Sequence, residues 1–124
     1  MRILLVDDEA DLVSVMAERL ALRGFQVEAA TNAAEALRHL GEHGFHVLIL
    51  DVKMPGTGGL KLMAQIKKEH PELPVILFTG HGSTADAKKG MQEGAFDYLM
   101  KPIDVDELIE KICHAAGATK GPSS

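Results

Sequence analysis

Residues 48–56 read LILDVKMPG. Leu48, Ile49 and Leu50 continue an apolar run that begins at Val47, and a carboxylate, Asp51, follows without a break. A run of this length with no polar alternation suits a strand buried on both faces. Pro55 cannot donate to a sheet ladder, and Gly56, Gly58 and Gly59 favour a tight loop. The stretch therefore predicts a core strand that carries an acid at its tip and then turns sharply. Its neighbours in the fold decide what that acid is for.

Working outward, four more short apolar runs occur at Ile3–Val6, Phe25–Ala29, Val75–Phe78 and Phe96–Met100. Helical spacing fills the intervals. Leu12, Val13, Met16 and Leu20 lie three and four apart, and Gly24 is placed to end that helix. Asn32 with Glu35 forms a capping pair ahead of Leu37 and Leu40. Leu62, Met63 and Ile66 mark a third helix that ends before Pro71, and Ser83 or Thr84 is placed to cap a fourth. That fourth helix is weak, because Gly90 sits inside it at a cost of about 1 kcal/mol against alanine. Asp104 with Glu107 opens a fifth, with Val105, Leu108, Ile109 and Ile112 on its apolar face. Five strands alternating with five helices predict an α/β domain, its sheet mainly parallel with helices on both sides.

The chain has 124 residues, 46% of them hydrophobic and 25% charged, which suits one soluble domain. We place that domain at residues 1–116 and read 117–124, GATKGPSS, as a flexible tail or the start of a linker. The net charge of −5 lacks the basic footprint of a nucleic-acid binder and disfavours anionic membranes. A single cysteine, Cys113, rules out an internal disulfide and fits a reducing compartment. The N-terminal segment reads as neither signal peptide nor membrane span, so a cytoplasmic location is expected.

In open parallel sheets, functional groups collect beyond the carboxyl ends of the strands. Asp7 and Asp8 follow the first run, Asp51 the third, Thr79 the fourth and Lys101 the fifth. Like charges about 4 Å apart repel by roughly 4 kcal/mol at an effective dielectric near 20, so a cation is expected among these acids. Oxygen-only donors favour Mg²⁺, which readily shares its shell with a phosphate. Lys101 adds a positive charge and Thr79 a hydroxyl donor. Together these residues predict a receptor for a phosphoryl group, with a carboxylate as nucleophile. No G-x-x-x-x-G-K-[ST] loop is present, and Lys53 stands where a haloacid-dehalogenase phosphatase would carry its second acid.

The segments LLVDDEADL, LILDVKMPGTGGLKLM, VILFTGHG and GAFDYLMKPID together resemble the receiver domain of two-component response regulators, from Met1 to about His114. The resemblance implies a flavodoxin-like, doubly wound sheet of order 2-1-3-4-5. It implies Asp51 as phospho-acceptor, with Asp7, Asp8, Asp51 and the backbone carbonyl of Lys53 around Mg²⁺. It implies that Lys101 holds a phosphoryl oxygen, that Thr79 and Tyr98 form a switch pair, and that the Lys101–Pro102 peptide is cis. The expected donor is a sensor histidine kinase or a phosphotransfer protein. The expected output is a changed surface on the fourth helix, fifth strand and fifth helix, a face that could also form a homodimer. Such a domain catalyses its own phosphorylation and dephosphorylation; it is not a turnover enzyme on external substrates. The alternative reading is a constitutive protein-interaction module with a vestigial pocket.

Other residues have plainer readings. His39 and His43 have a metal-compatible spacing but no third ligand, and Cys113, beside the apolar stripe of the last helix, reads as a buried thiol. His81 lies two residues after Thr79, near the proposed site, or equally on an exposed loop.

Overall fold

The computed structural model describes residues 1–53, 58–80 and 84–120. Strands and helices alternate as β1 (Arg2–Val6), α1 (Ala10–Leu22), β2 (Gln26–Ala30), α2 (Ala33–Glu42), β3 (Val47–Asp51), α3 (Gly59–Glu69), β4 (Val75–Thr79), α4 (Thr84–Gln92), β5 (Asp97–Met100) and α5 (Val105–Lys120). The strands form one five-stranded sheet in the order β2-β1-β3-β4-β5, and every neighbouring pair is parallel. This is the order the resemblance implies.

The three central strands, β1, β3 and β4, each feed two cores, because successive side chains point to opposite faces. Ile3, Leu5, Val47, Ile49, Ile76 and Phe78 pack with Val13, Met16 and Leu20 of α1 and Leu108 and Ile112 of α5. Leu4, Val6, Leu48, Leu50, Val75 and Leu77 pack on the other face with Ala36 and Leu40 of α2 and Leu62, Met63 and Ile66 of α3. Both faces are covered, which explains why the central strands read as unbroken apolar runs.

The end signals act as the sequence predicts. Gly24 follows α1 with φ of 94°, a conformation that favours glycine. The backbone N–H of Glu35 donates to Asn32 Oδ1 at 2.9 Å, and Glu35 Oε1 accepts from the backbone N–H of Thr31 at 2.8 Å. These Thr31 hydrogen bonds, backbone first and hydroxyl second, hold the Glu35 carboxyl below its usual range. Asp104 Oδ1 caps α5 by accepting from the N–H of Asp106 at 2.9 Å. α4 is described from Thr84, which is within the helix rather than its cap; the other cap candidate, Ser83, lies outside the described residues, as do Pro55, Gly56 and His81.

Two readings change. α5 continues through Gly117 to Lys120, into the segment read as a flexible tail or the start of a linker. One glycine costs a helix only about 1 kcal/mol, too little to end it where Ala115, Ala116 and Ala118 surround it. Cys113 is exposed rather than buried, because Ile112 and Ala116 carry the apolar stripe and Cys113 lies round the helix from them. Among the described residues, no helix is long and apolar enough to cross a membrane.

Candidate functional site

Strand register brings the acids together. Ile3 and Leu5 share one face of β1, and Asp7 continues that series; Val47 and Ile49 do the same for Asp51. Val6 pairs with Leu50, so the residues that follow each, Asp7 and Asp51, emerge side by side. A carboxylate oxygen from each of Asp7, Asp8 and Asp51 lies within 4.8 Å of the others. Asp7 and Asp51 are buried and Asp8 is exposed.

The acids are held by their own loops. Asp7 Oδ1 accepts from the backbone N–H of Glu9 at 3.0 Å, and Asp51 Oδ1 accepts from that of Lys53 at 3.1 Å. Behind Asp51, the start of α3 presses on the strand end. Gly58 adopts φ of 83°, and the Gly59 N–H donates to the Val52 carbonyl at 2.8 Å. A Cβ on Gly59 would collide with the Asp51 carbonyl and sit 2.6 Å from Val52 Cα, so glycine is needed there.

Lys101 enters from the tip of β5. Its backbone N–H donates to the Thr79 carbonyl at 2.8 Å, and its peptide bond to Pro102 is cis, as the resemblance implies. Its Nζ lies 3.0 Å from Asp7 Oδ2, 3.5 Å from Asp51 Oδ2 and 2.8 Å from Glu9 Oε1. Burial works against the ammonium, but the contacts with Glu9 and Asp7, and then the charges of Asp7 and Asp51, hold its pKa above the ordinary lysine value. Burial pushes the Asp7 carboxyl up to about 6; the Glu9 N–H and Lys101 oppose that rise, and the charge of Asp51 adds to it.

The notch is open on one side as a hollow of about 400 Å³ lined by Asp8, Glu9, Asp51, Lys53, Gly80 and Lys101. The other predicted residues sit at its margin. Thr79 is fully buried at the tip of β4, and its hydroxyl donates to Met100 Sδ at 2.9 Å across the β4–β5 pair. Tyr98 is outside the notch. It is 37% exposed and lines a separate depression of about 390 Å³ with Ala85, Lys88 and Met91 of α4. The side chain of Lys53 is exposed; it is its backbone that meets Asp51.

Two participants were not singled out in the sequence. Glu9 follows the acid pair directly, so its closeness to the site was readable, but its pairing with Lys101 depends on the fold. Met100 becomes the partner of Thr79 only through the β4–β5 register, which the sequence does not print.

The donor set suits a hard cation. Asp7 Oδ2 is buried and has no hydrogen bond; Lys101 meets it as an ion pair by distance alone. A buried carboxylate oxygen left this way is costly, and a cation or its bound water satisfies it.

The sequence matches the response regulator receiver domain family over residues 3–113. The chain belongs to this family. The receiver domain is 43% identical over 104 residues to the DNA-binding transcriptional regulator NtrC of Escherichia coli (strain K12), covering 84% of this chain and 22% of that protein. It is 40% identical over 108 residues to the C4-dicarboxylate transport transcriptional regulatory protein DctD of Rhizobium meliloti (strain 1021), covering 87% of this chain and 24% of that one. The chain thus spans about a quarter of the length of these curated relatives. Among solved structures, the receiver domain of NtrX from Brucella abortus superposes with a TM-score of 0.88 at 36% identity, covering 92% of this chain and 97% of that one. A response regulator receiver domain protein from Clostridium thermocellum superposes with a TM-score of 0.91 at 36% identity, covering 96% of each chain.

Proposed function

We propose that this receiver domain is a phosphoryl-accepting switch of a two-component phosphorelay, with Asp51 as acceptor. The observation that carries the reading is the notch itself. Three carboxylates and one ammonium meet at an open edge of the sheet, and two of those carboxylates, Asp7 and Asp51, are gripped by the adjacent backbone.

The donor is a phosphohistidine on a sensor histidine kinase or phosphotransfer protein. An Asp51 carboxylate oxygen attacks phosphorus, the P–N bond breaks, and the histidine leaves with the electron pair. Lys101 neutralises one oxygen of the group in transfer, already lying 3.5 Å from the acceptor carboxylate. Asp7, Asp8, Asp51 and the Lys53 carbonyl would hold Mg²⁺, which supplies charge neutralisation for the transferring oxygens when bound. The backbone N–H of Lys53 fixes one Asp51 oxygen, leaving the other for attack. Water later hydrolyses the acyl phosphate.

The new anion changes what Thr79 is offered. Its hydroxyl now donates to a thioether, a weak acceptor, and a phosphoryl oxygen is a far stronger one. Thr79 turns from Met100 to the phosphoryl group, and Tyr98 leaves its exposed position for the space released. The face built by α4, β5 and α5 changes, and a target or a second copy of the chain reads the change. Phosphorylation biases two pre-existing states by this difference in contacts.

Acetyl phosphate with Mg²⁺ tests the reading. The wild-type domain takes up one phosphoryl group, and Asp51→Asn takes up none. Full labelling of Asp51→Asn would show that the acceptor lies elsewhere.

A further inference from the structure

Lys101 brings one positive charge to three carboxylates, those of Glu9, Asp7 and Asp51. The best placed belongs to Glu9: Oε1 is 2.8 Å from Nζ, in hydrogen-bonding geometry, whereas the acceptor oxygen of Asp51 is 3.5 Å away. Glu9 is 60% exposed and stands at the lip of the hollow, while Lys101 is 19% exposed and reaches up to it from inside. The Glu9 side chain makes no cap hydrogen bond to α1. Its carboxylate therefore serves Lys101 and not the helix.

We infer that Glu9 is an exchangeable counter-ion for Lys101: a positioning residue that competes with the incoming phosphoryl group for the ammonium and so sets how readily Asp51 is phosphorylated. This rests on Asp51 being the acceptor. In the resting domain the ammonium is drawn toward the lip by Glu9. During transfer the donor's bond to phosphorus breaks, the bond from Asp51 oxygen to phosphorus forms, and Lys101 exchanges the Glu9 carboxylate for a phosphoryl oxygen. No proton moves in the exchange. Glu9 then stands as an unpaired anion beside the new dianion, so its charge opposes the phosphorylated state as well as the approach of an anionic donor.

Glu9→Gln removes the charge with little change of shape, and the backbone N–H that supports Asp7 remains. Labelling by acetyl phosphate in Mg²⁺ is followed for wild type, Glu9→Gln, Glu9→Asp and Asp51→Asn, together with the affinity of the unlabelled domains for fluoroberyllate read from amide resonances. Glu9→Gln is expected to raise the second-order labelling rate by about three- to tenfold, and to tighten fluoroberyllate binding by a similar factor. Glu9→Asp keeps the charge and stays within about twofold of wild type. Labelling of Glu9→Gln at or below the wild-type rate, with Asp51→Asn inert, overturns the role of Glu9 and leaves the acceptor standing. Labelling of Asp51→Asn overturns both. Equal gains in Glu9→Gln and Glu9→Asp would show that side-chain shape, not charge, sets the rate, and would also overturn the inference.

Discussion

Water scarcely reaches the Asp7 side chain, which is 1% exposed, yet it sits beside a second buried acid. The ordinary value of 3.8 rises to about 6 in the folded domain, chiefly through burial. The folded state therefore holds this proton more tightly than the unfolded chain does. Between about pH 4 and pH 6 the Asp7 contribution to stability falls as pH rises, and above that window a constant penalty remains. A shift of about two pK units corresponds to roughly 3 kcal/mol, which sets the ceiling of the effect. In the presence of chelator, Asp7→Asn should be more stable than wild type by about 1–2 kcal/mol at neutral pH. Urea unfolding should show that advantage closing below about pH 4, where the acid is protonated in both states. Lys101 has the same sign of slope, but in a far more alkaline window. Its raised pKa contributes stability that is fully present below the ordinary lysine value and is lost only as pH climbs beyond it. Asp7, Asp51 and Lys101 were readable because each follows an apolar run directly, and Asp8 because it follows Asp7. The burial of Asp7 was not, since only packing shows which of two adjacent acids faces inward.

At the scale of elements, the weak fourth helix has a packing reason that its sequence conceals. Gly90 reads as a helix defect. In the fold, a Cβ there would collide with Leu77 Cδ1 on β4 and come within 3.3 Å of Leu60 Cδ2. Leu77 is fully buried and has little room to move aside. The glycine lets α4 lie close against the sheet. Gly41 in α2 is the contrasting case, with nothing within 4 Å of its missing Cβ. Gly41→Ala should therefore stabilise the domain by about 0.5–1 kcal/mol through chain entropy. Gly90→Ala, the same substitution in another helix, should destabilise it by about 1–3 kcal/mol through overpacking. Equilibrium denaturation of the two variants checks the pair of signs. Caps and stops were legible from local chemistry, as Asn32, Gly24 and Asp104 show. The end of α5 was not, because one glycine is a weak stop signal and Gly117 does not override its alanine neighbours.

At the scale of the molecule, the notch exists because parallel strands all end on one edge. β1 contributes Asp7 and Asp8, β3 contributes Asp51 and β5 delivers Lys101, and these tips meet only in the order β2-β1-β3-β4-β5. The alternation of apolar runs and helical spacing was enough to expect a parallel sheet. Neighbour order and register were not readable from local pattern, and they decide the partners of Lys101 and Thr79. The most direct test of the whole arrangement is to treat the domain with acetyl phosphate, with and without a magnesium chelator. Any acyl phosphate is then trapped with borohydride, which converts the modified aspartate to homoserine, and the peptides are mapped by mass spectrometry. The account predicts homoserine at position 51 and at no other acid, and none when the divalent ion is withheld. Homoserine at position 7 or 8, or an undiminished yield at position 51 in chelator, would contradict it.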